Sequence, residues 1–218
     1  MFEKSLQIRL KIFPSNHPDI AVSYINISGV YESPHDYDKS IEYLKKAFEI
    51  QLHSLSPNHS HFATTYNSLS MGYYKQGKFN EALQMYENSL KIFLQALPSD
   101  HPHIATSYTN MSQVYSALGE HEKAIDYLNK ALAILLNSLS SYHPSVATIY
   151  NSLASTYFET NKIQEVIQMF EVCLEIQLKI YPPDHPNIIK TYEQVLIVHM
   201  HEGTNEETVK CLNKILEI

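Results

Sequence analysis

Residues 101–139 read HPHIATSYTNMSQVYSALGEHEKAIDYLNKALAILLNSL, and the rest of the chain is a set of variants of this stretch. Shifted by 42 residues the sequence falls on itself: His17, His59, His101, His143 and His185 are 42 apart, as are Tyr24, Tyr66, Tyr108, Tyr150 and Tyr192. A period of that size, filled with helix-forming residues, predicts a stack of supersecondary units that bury their apolar sides against one another. The predicted repeats are 17–58, 59–100, 101–142 and 143–184, with 1–16 the second half of a preceding repeat and 185–218 a divergent, truncated fifth. Starting and stopping inside a unit is expected of a piece of a longer array.

Each unit predicts two helices. In the first full unit Tyr24, Ile27, Ser28 and Tyr31 fall at i, i+3, i+4 and i+7, on one face of a helix over about 19–33. The second helix, over about 37–55, offers Ile41, Leu44, Phe48 and Leu52 at spacings of three and four. Gly77, Gly119 and Gly203 follow first helices at equivalent places, where positive φ ends a helix and turns the chain. His35 and Asn161 fill that slot in the other two units. Pro18, Pro102, Pro144 and Pro186 open first helices, where a missing N–H costs nothing, and Ser60 replaces proline in the remaining unit. The five histidines in register read as turn residues that pack and hydrogen-bond at helix starts. Neighbouring helices pack roughly 10 Å apart, so histidines from different repeats cannot share an ion. His59 with His61 and His199 with His201 have no third ligand at a useful spacing, and no metal is expected.

Composition narrows the function. The chain has 218 residues, 44% hydrophobic, with 5 glycines and no tryptophan, which favours helices over loops. A net charge of -7, with Arg9 the only arginine, leaves no basic stripe for nucleic acid or for an anionic membrane surface. Cys173 and Cys211 sit on apolar helix positions and read as buried thiols in a reducing, cytoplasmic compartment. The N-terminus lacks the apolar run of a signal peptide, and no stretch is long and apolar enough to span a membrane. There is no nucleophile elbow, phosphate-binding glycine loop or zinc spacing, so neither catalysis nor a cofactor is expected.

The first helices read Tyr24-x2-Ile27-Ser28-x2-Tyr31, Tyr66-x2-Leu69-Ser70-x2-Tyr73, Tyr108-x2-Met111-Ser112-x2-Tyr115 and Tyr150-x2-Leu153-Ala154-x2-Tyr157; the second helices follow with Ala82-x3-Tyr86, Ala124-x3-Leu128 and Val166-x3-Phe170. This resembles the tetratricopeptide pattern. The 42-residue period and the connector Asp100-His101-Pro102-His103-Ile104-Ala105 are similar to the kinesin light chain type of repeat. The resemblance implies an all-α fold: a right-handed superhelical α-solenoid of antiparallel helix pairs, about 11 helices, with first helices lining a concave groove. The small residue lets the first helix lie close to its partner, so Leu196, His199 and Thr208 at pattern positions of the fifth unit imply looser packing there.

Function is then sought in the groove. The stretches 62–74, 103–119 and 144–158 contain no Asp, Glu, Lys or Arg, but are rich in Ser, Thr, Asn, Gln and Tyr. The resemblance places Asn26, Asn67, Thr106, Asn110, Gln113, Asn151, Lys190 and Gln194 at or near this groove, where an amide can pair with the backbone of an extended peptide. It implies a protein or peptide partner and a kinesin light chain-like cargo adaptor. Through regions outside this chain it further implies kinesin heavy chain or cargo, and an association with the cytoskeleton. The alternative is an accessory or spacer region of a larger multidomain enzyme or signalling protein, with an idle groove. Among the first helices only Lys75 and Lys190 approach the groove as cations. Acidic, tryptophan-containing peptides are therefore expected to bind weakly: fluorescence titration should show no submicromolar affinity, and such affinity would overturn the charge argument.

Overall fold

The computed structural model describes residues 2–32, 35–54, 60–203 and 210–214. The described residues form ten helices and no strand: α1 (Phe2–Ile12), α2 (Pro18–Glu32), α3 (Tyr37–Ser54), α4 (Ser60–Lys75), α5 (Phe79–Ala96), α6 (Pro102–Ala117), α7 (His121–Ser138), α8 (Pro144–Glu159), α9 (Ile163–Ile180) and α10 (Pro186–Glu202). Residues 210–214 are also helical. The chain divides into two compact units, Met1–Ser99 and Asp100–Ile218. Within the first, α2 pairs with α3 and α4 with α5; within the second, α6 pairs with α7 and α8 with α9.

Each pair is made by the same reversal. His35 (φ 62°), Gly77 (74°), Gly119 (75°), Asn161 (57°) and Gly203 (69°) all take left-handed backbone, at intervals of 42 residues. The N–H one residue later reaches back across the helix end: Asp36 to the Tyr31 carbonyl (3.0 Å), Lys78 to Tyr73 (2.9 Å), Glu120 to Tyr115 (2.9 Å) and Lys162 to Tyr157 (3.0 Å). This six-to-one bond satisfies a carbonyl that the helix leaves without a partner and starts the antiparallel helix at once.

The other end of each first helix is closed by histidine. Nδ1 of His17, His101, His143 and His185 accepts the backbone N–H two residues on, from Asp19 (3.2 Å), His103 (3.2 Å), Ser145 (3.1 Å) and Asn187 (3.2 Å). Histidine here does the work usually given to Ser or Asp at an N-cap. His17 stacks on Phe13 at 4.1 Å and His185 on Tyr181 at 3.9 Å, which fixes the ring. His59, Pro34 and Thr208 lie outside the described residues.

The core lies between paired helices. Ser28, Ser70, Ser112 and Ala154 are buried at the close crossing of each first helix, while Leu196 is half-buried in a cluster with Tyr192 and Cys211. The second helices bury Ser40, Ile41, Leu44, Ala47 and Gln51 on α3, and Ala124, Ile125, Leu128, Ala131 and Leu135 on α7. Leu52 departs from the expected face: it is 59% exposed and Gln51 takes its place, 2% exposed. Counting on from Leu44, position 51 nearly completes two turns of a 3.6-residue helix, whereas 52 overshoots by about 80°. Leu10, Leu94, Leu136 and Leu178, on the same 42-residue grid, are likewise exposed.

Some buried polar groups on the second helices are hydrogen-bonded across to first helices, whereas Ser40 Oγ and Gln177 Oε1 have no partner. Gln51 Oε1 accepts from Thr65 Oγ1 at 2.9 Å, and Ser89 Oγ donates to the Ala63 carbonyl at 2.9 Å. Cys173 Sγ donates to the Ala147 carbonyl at 3.3 Å in the place equivalent to Ser89, and burial pushes its thiol up to about 11. Cys211 is buried too and donates to the Tyr192 carbonyl. No helix among the described residues is long and apolar enough to cross a membrane.

A Cβ at Gly119 would meet nothing within 4 Å, so Gly119→Ala tests the backbone alone. It is expected to cost about 1–2 kcal/mol, the strain of left-handed backbone in an L-residue. Asn161→Gly, in the same slot, should leave stability within about 0.5 kcal/mol, because Asn already tolerates that conformation. Urea unfolding of the two variants measures both.

Candidate functional site

The second unit sets α6, α8 and α10 so that polar first-helix side chains line clefts between them. The first cleft, about 210 Å³, lies between α6 and α8; Thr106, Thr109, Asn110 and Thr148 line it along with Leu135 and Ile149. The second, about 250 Å³, lies between α8 and the start of α10, and brings together Thr148, Asn151, Ser152, Gln177, Asn187 and Lys190. The third, about 220 Å³, lies between the C-terminal halves of α8 and α10, where Phe158, Phe170, Ile197 and Val198 meet Ser155, Glu159 and Gln194. Thr148 lines both of the first two.

The first two clefts are one structure repeated. Pro102, Ala105, Thr106, Thr109, Leu135 and Thr148 of the first correspond, 42 residues on, to Pro144, Ala147, Thr148, Asn151, Gln177 and Lys190 of the second. Asn110 and Ser145 likewise correspond to Ser152 and Asn187, and five substitutions change the chemistry: an apolar wall becomes an amide at Gln177, hydroxyls become amides at Asn151 and Asn187, an amide becomes a hydroxyl at Ser152, and a hydroxyl becomes a cation at Lys190. Gln177 is 5% exposed, and its Oε1 is buried without a hydrogen-bond partner. Gln51, in the equivalent place on α3, has that oxygen satisfied by Thr65. Thr191, which corresponds to Thr65, instead donates to the Asn187 carbonyl at 2.9 Å.

The sequence-derived candidates divide as follows. Thr106 and Asn110 line the first cleft, Asn151 and Lys190 the second, and Gln194 the third. Asn151 Nδ2 donates to Gln194 Oε1 at 3.2 Å, so these two amides join the second cleft to the third. Gln113 is exposed on α6 and lines none of the three. In the other unit Asn26 on α2 is exposed and Asn67 on α4 half-buried, and Oδ1 of Asn67 is buried without a partner. Sequence reading missed Gln177, Glu159 and the apolar third cleft. The signal for Gln177 was a polar residue on a grid position otherwise held by Gln51, Phe93 and Leu135. Among the described residues no group of three or more His, Cys, Asp and Glu could hold a metal ion.

The tetratricopeptide repeat family matches residues 1–52 and 61–137, and a second description of the same repeat matches residues 146–187. The chain belongs to the tetratricopeptide repeat family. In fold this tetratricopeptide protein is similar to nearly identical TPR-like repeats from Podosopora anserina attributed to a kinesin light chain, with 24% identity over 92% of this chain and 95% of that one and a TM-score of 0.79. BtubC (BKLC) from P. vanneervenii is similar at 18% identity over 92% and 80% of the two chains, TM-score 0.79. The apo form of RapI is similar at 15% identity over 98% and 57%, TM-score 0.79. No curated protein sequence matches the chain. Membership of this family suits a scaffold for protein–protein interaction.

The orphaned Gln177 carbonyl yields a test of the second cleft. Gln177→Leu copies Leu135 and removes a buried acceptor that has no donor, so it should stabilise the protein by about 1 kcal/mol in urea unfolding. Destabilisation would show that the Gln177 amide is held by the fold.

Proposed function

We propose that the chain is a non-catalytic interaction module that holds an extended segment of a protein partner against its first helices. One observation carries this reading: two equivalent clefts and a third beside them line α6, α8 and α10 with hydroxyls, amides and exposed apolar side chains. Amides and hydroxyls offer both donors and acceptors, which suits a peptide backbone whose N–H and C=O groups alternate. Asn26 and Asn67 are read in the same way in the other unit. Within this class the finer reading is a kinesin light chain-like cargo adaptor in the cytoplasm, supported by the 42-residue period and the Asp-His-Pro connector.

A second reading has its own support. Asn151 is already hydrogen-bonded to Gln194, so part of the amide capacity is spent inside the fold, as an idle groove in a spacer region requires. Retention of a displayed library of random twelve-residue peptides on the immobilised chain separates the two. Under the first reading Asn67→Ala with Asn151→Ala lowers retention about tenfold, the worth of one or two hydrogen bonds. Retention equal to that of a bare support, before and after substitution, would favour the spacer.

A further inference from the structure

We infer that the seam between α8 and α10 is a bipolar track, which selects segments carrying one acidic and one basic side chain a few residues apart. The inference rests on the groove reading above and specifies the partner's chemistry.

Lys190 marks one end. Among the described lysines of this unit, Lys123, Lys130, Lys162 and Lys179 are ion-paired with Glu120, Asp126, Glu122 and Glu175. Lys214 lies over the Tyr192 ring, and Lys210 also has a partner. Lys190 alone among them has none, and it lines the second cleft beside the buried Gln177 amide, whose oxygen has no donor. A cation left without a partner in a chain of net charge -7 points to an anionic group supplied from outside, while the Gln177 oxygen, an acceptor, calls for a donor such as a backbone N–H of the same segment. Glu159 marks the other end. It lines the third cleft, is exposed, and has no ion pair or hydrogen bond among the described residues; the walls there are Phe158, Phe170 and Ile197. Apolar walls closed by a carboxylate suit the methylene stem and charged head of a lysine or arginine.

The backbone reinforces both ends. The second cleft reaches the first turns of α8 and α10 at Pro144 and Asn187, and the third reaches the last turn of α8 at Phe158 and Glu159. The N-terminal turns of both helices therefore favour an anion in the second cleft, and the C-terminal turn of α8 favours a cation beside Glu159. On the 42-residue grid Lys190 corresponds to Thr148, eleven positions before Glu159 on α8. Eleven residues of helix rise about 16 Å, the reach of about five residues of extended chain. Between the ends the segment crosses the Asn151–Gln194 amide pair. A uniformly acidic segment satisfies Lys190 but is repelled at Glu159, so the track discriminates by charge pattern, not by net charge.

The test sequences what a random twelve-residue display library leaves on the full-length chain. Wild type should enrich peptides with an acidic and a basic residue four to six positions apart, at least fivefold over the input. Lys190→Glu should lose the acidic preference, and Glu159→Lys the basic one. The double swap should again enrich peptides with both charges, in reversed order and less strongly because the helix dipoles now oppose it. Both residues are exposed, and unchanged circular dichroism melts show that the variants fold. If peptides are retained but their charge content is the same in wild type and variants, the bipolar track is wrong while the groove stands. If nothing is retained above a bare support, both fail together.

Discussion

The antiparallel helix pair depends on a reversal only three residues long between α4 and α5, α6 and α7, and α8 and α9. One residue in left-handed backbone and one N–H returned to the tyrosine carbonyl five residues earlier end a first helix and begin the second. With no slack in the connection, the start of the second helix is fixed against the end of the first. Which residues face each other follows from that. The bond is made by the backbone, so side-chain identity matters at a single site. That is why Gly, His and Asn can all occupy it, and why the turn survives where the sequence around it drifts.

Given that reversal, the division of labour between helices is physical. Both helices of a pair bury large side chains, as Ile104, Met111 and Val114 on α6 and Leu128 on α7 show, and second helices add, at Ser89 and Cys173, a single donor turned back onto a first-helix carbonyl. First helices spend one face on this core, with a small residue at the crossing, and their other faces are free to differ. The two equivalent clefts of the second unit show how little backbone change this needs. Leu135 to Gln177 and Thr148 to Lys190, on one unchanged frame, turn an apolar recess into a polar one. The unsatisfied Gln177 oxygen is the stability cost of that polarity.

The sequence made the frame legible because period, proline and glycine are backbone constraints that act one residue at a time. The helix spans, the histidine caps and the five left-handed positions could all be seen on the 42-residue grid. Leu52 was misread because spacings of three and four do not say which of two adjacent residues a helix turns inward. Asn110, Thr106, Asn151 and Lys190 could be named as candidates through the family pattern, but their division between two clefts could not. Gln113 was named with them; it is exposed on α6 and lines none of the three clefts. The third cleft was invisible because it depends on how the C-terminal halves of α8 and α10 lie beside each other, a property of the pair that neither segment carries alone.

Pairing of helices that follow one another along the chain also governs how such a protein finds its shape. Every helix pair described here joins sequence neighbours, so little loop entropy is lost before a contact forms, and low contact order goes with fast folding. The same locality lets one pair open without its neighbours. Slow-exchanging amides should therefore cluster in the middle of each unit, and native-state opening should proceed inward from the ends in helix-pair steps.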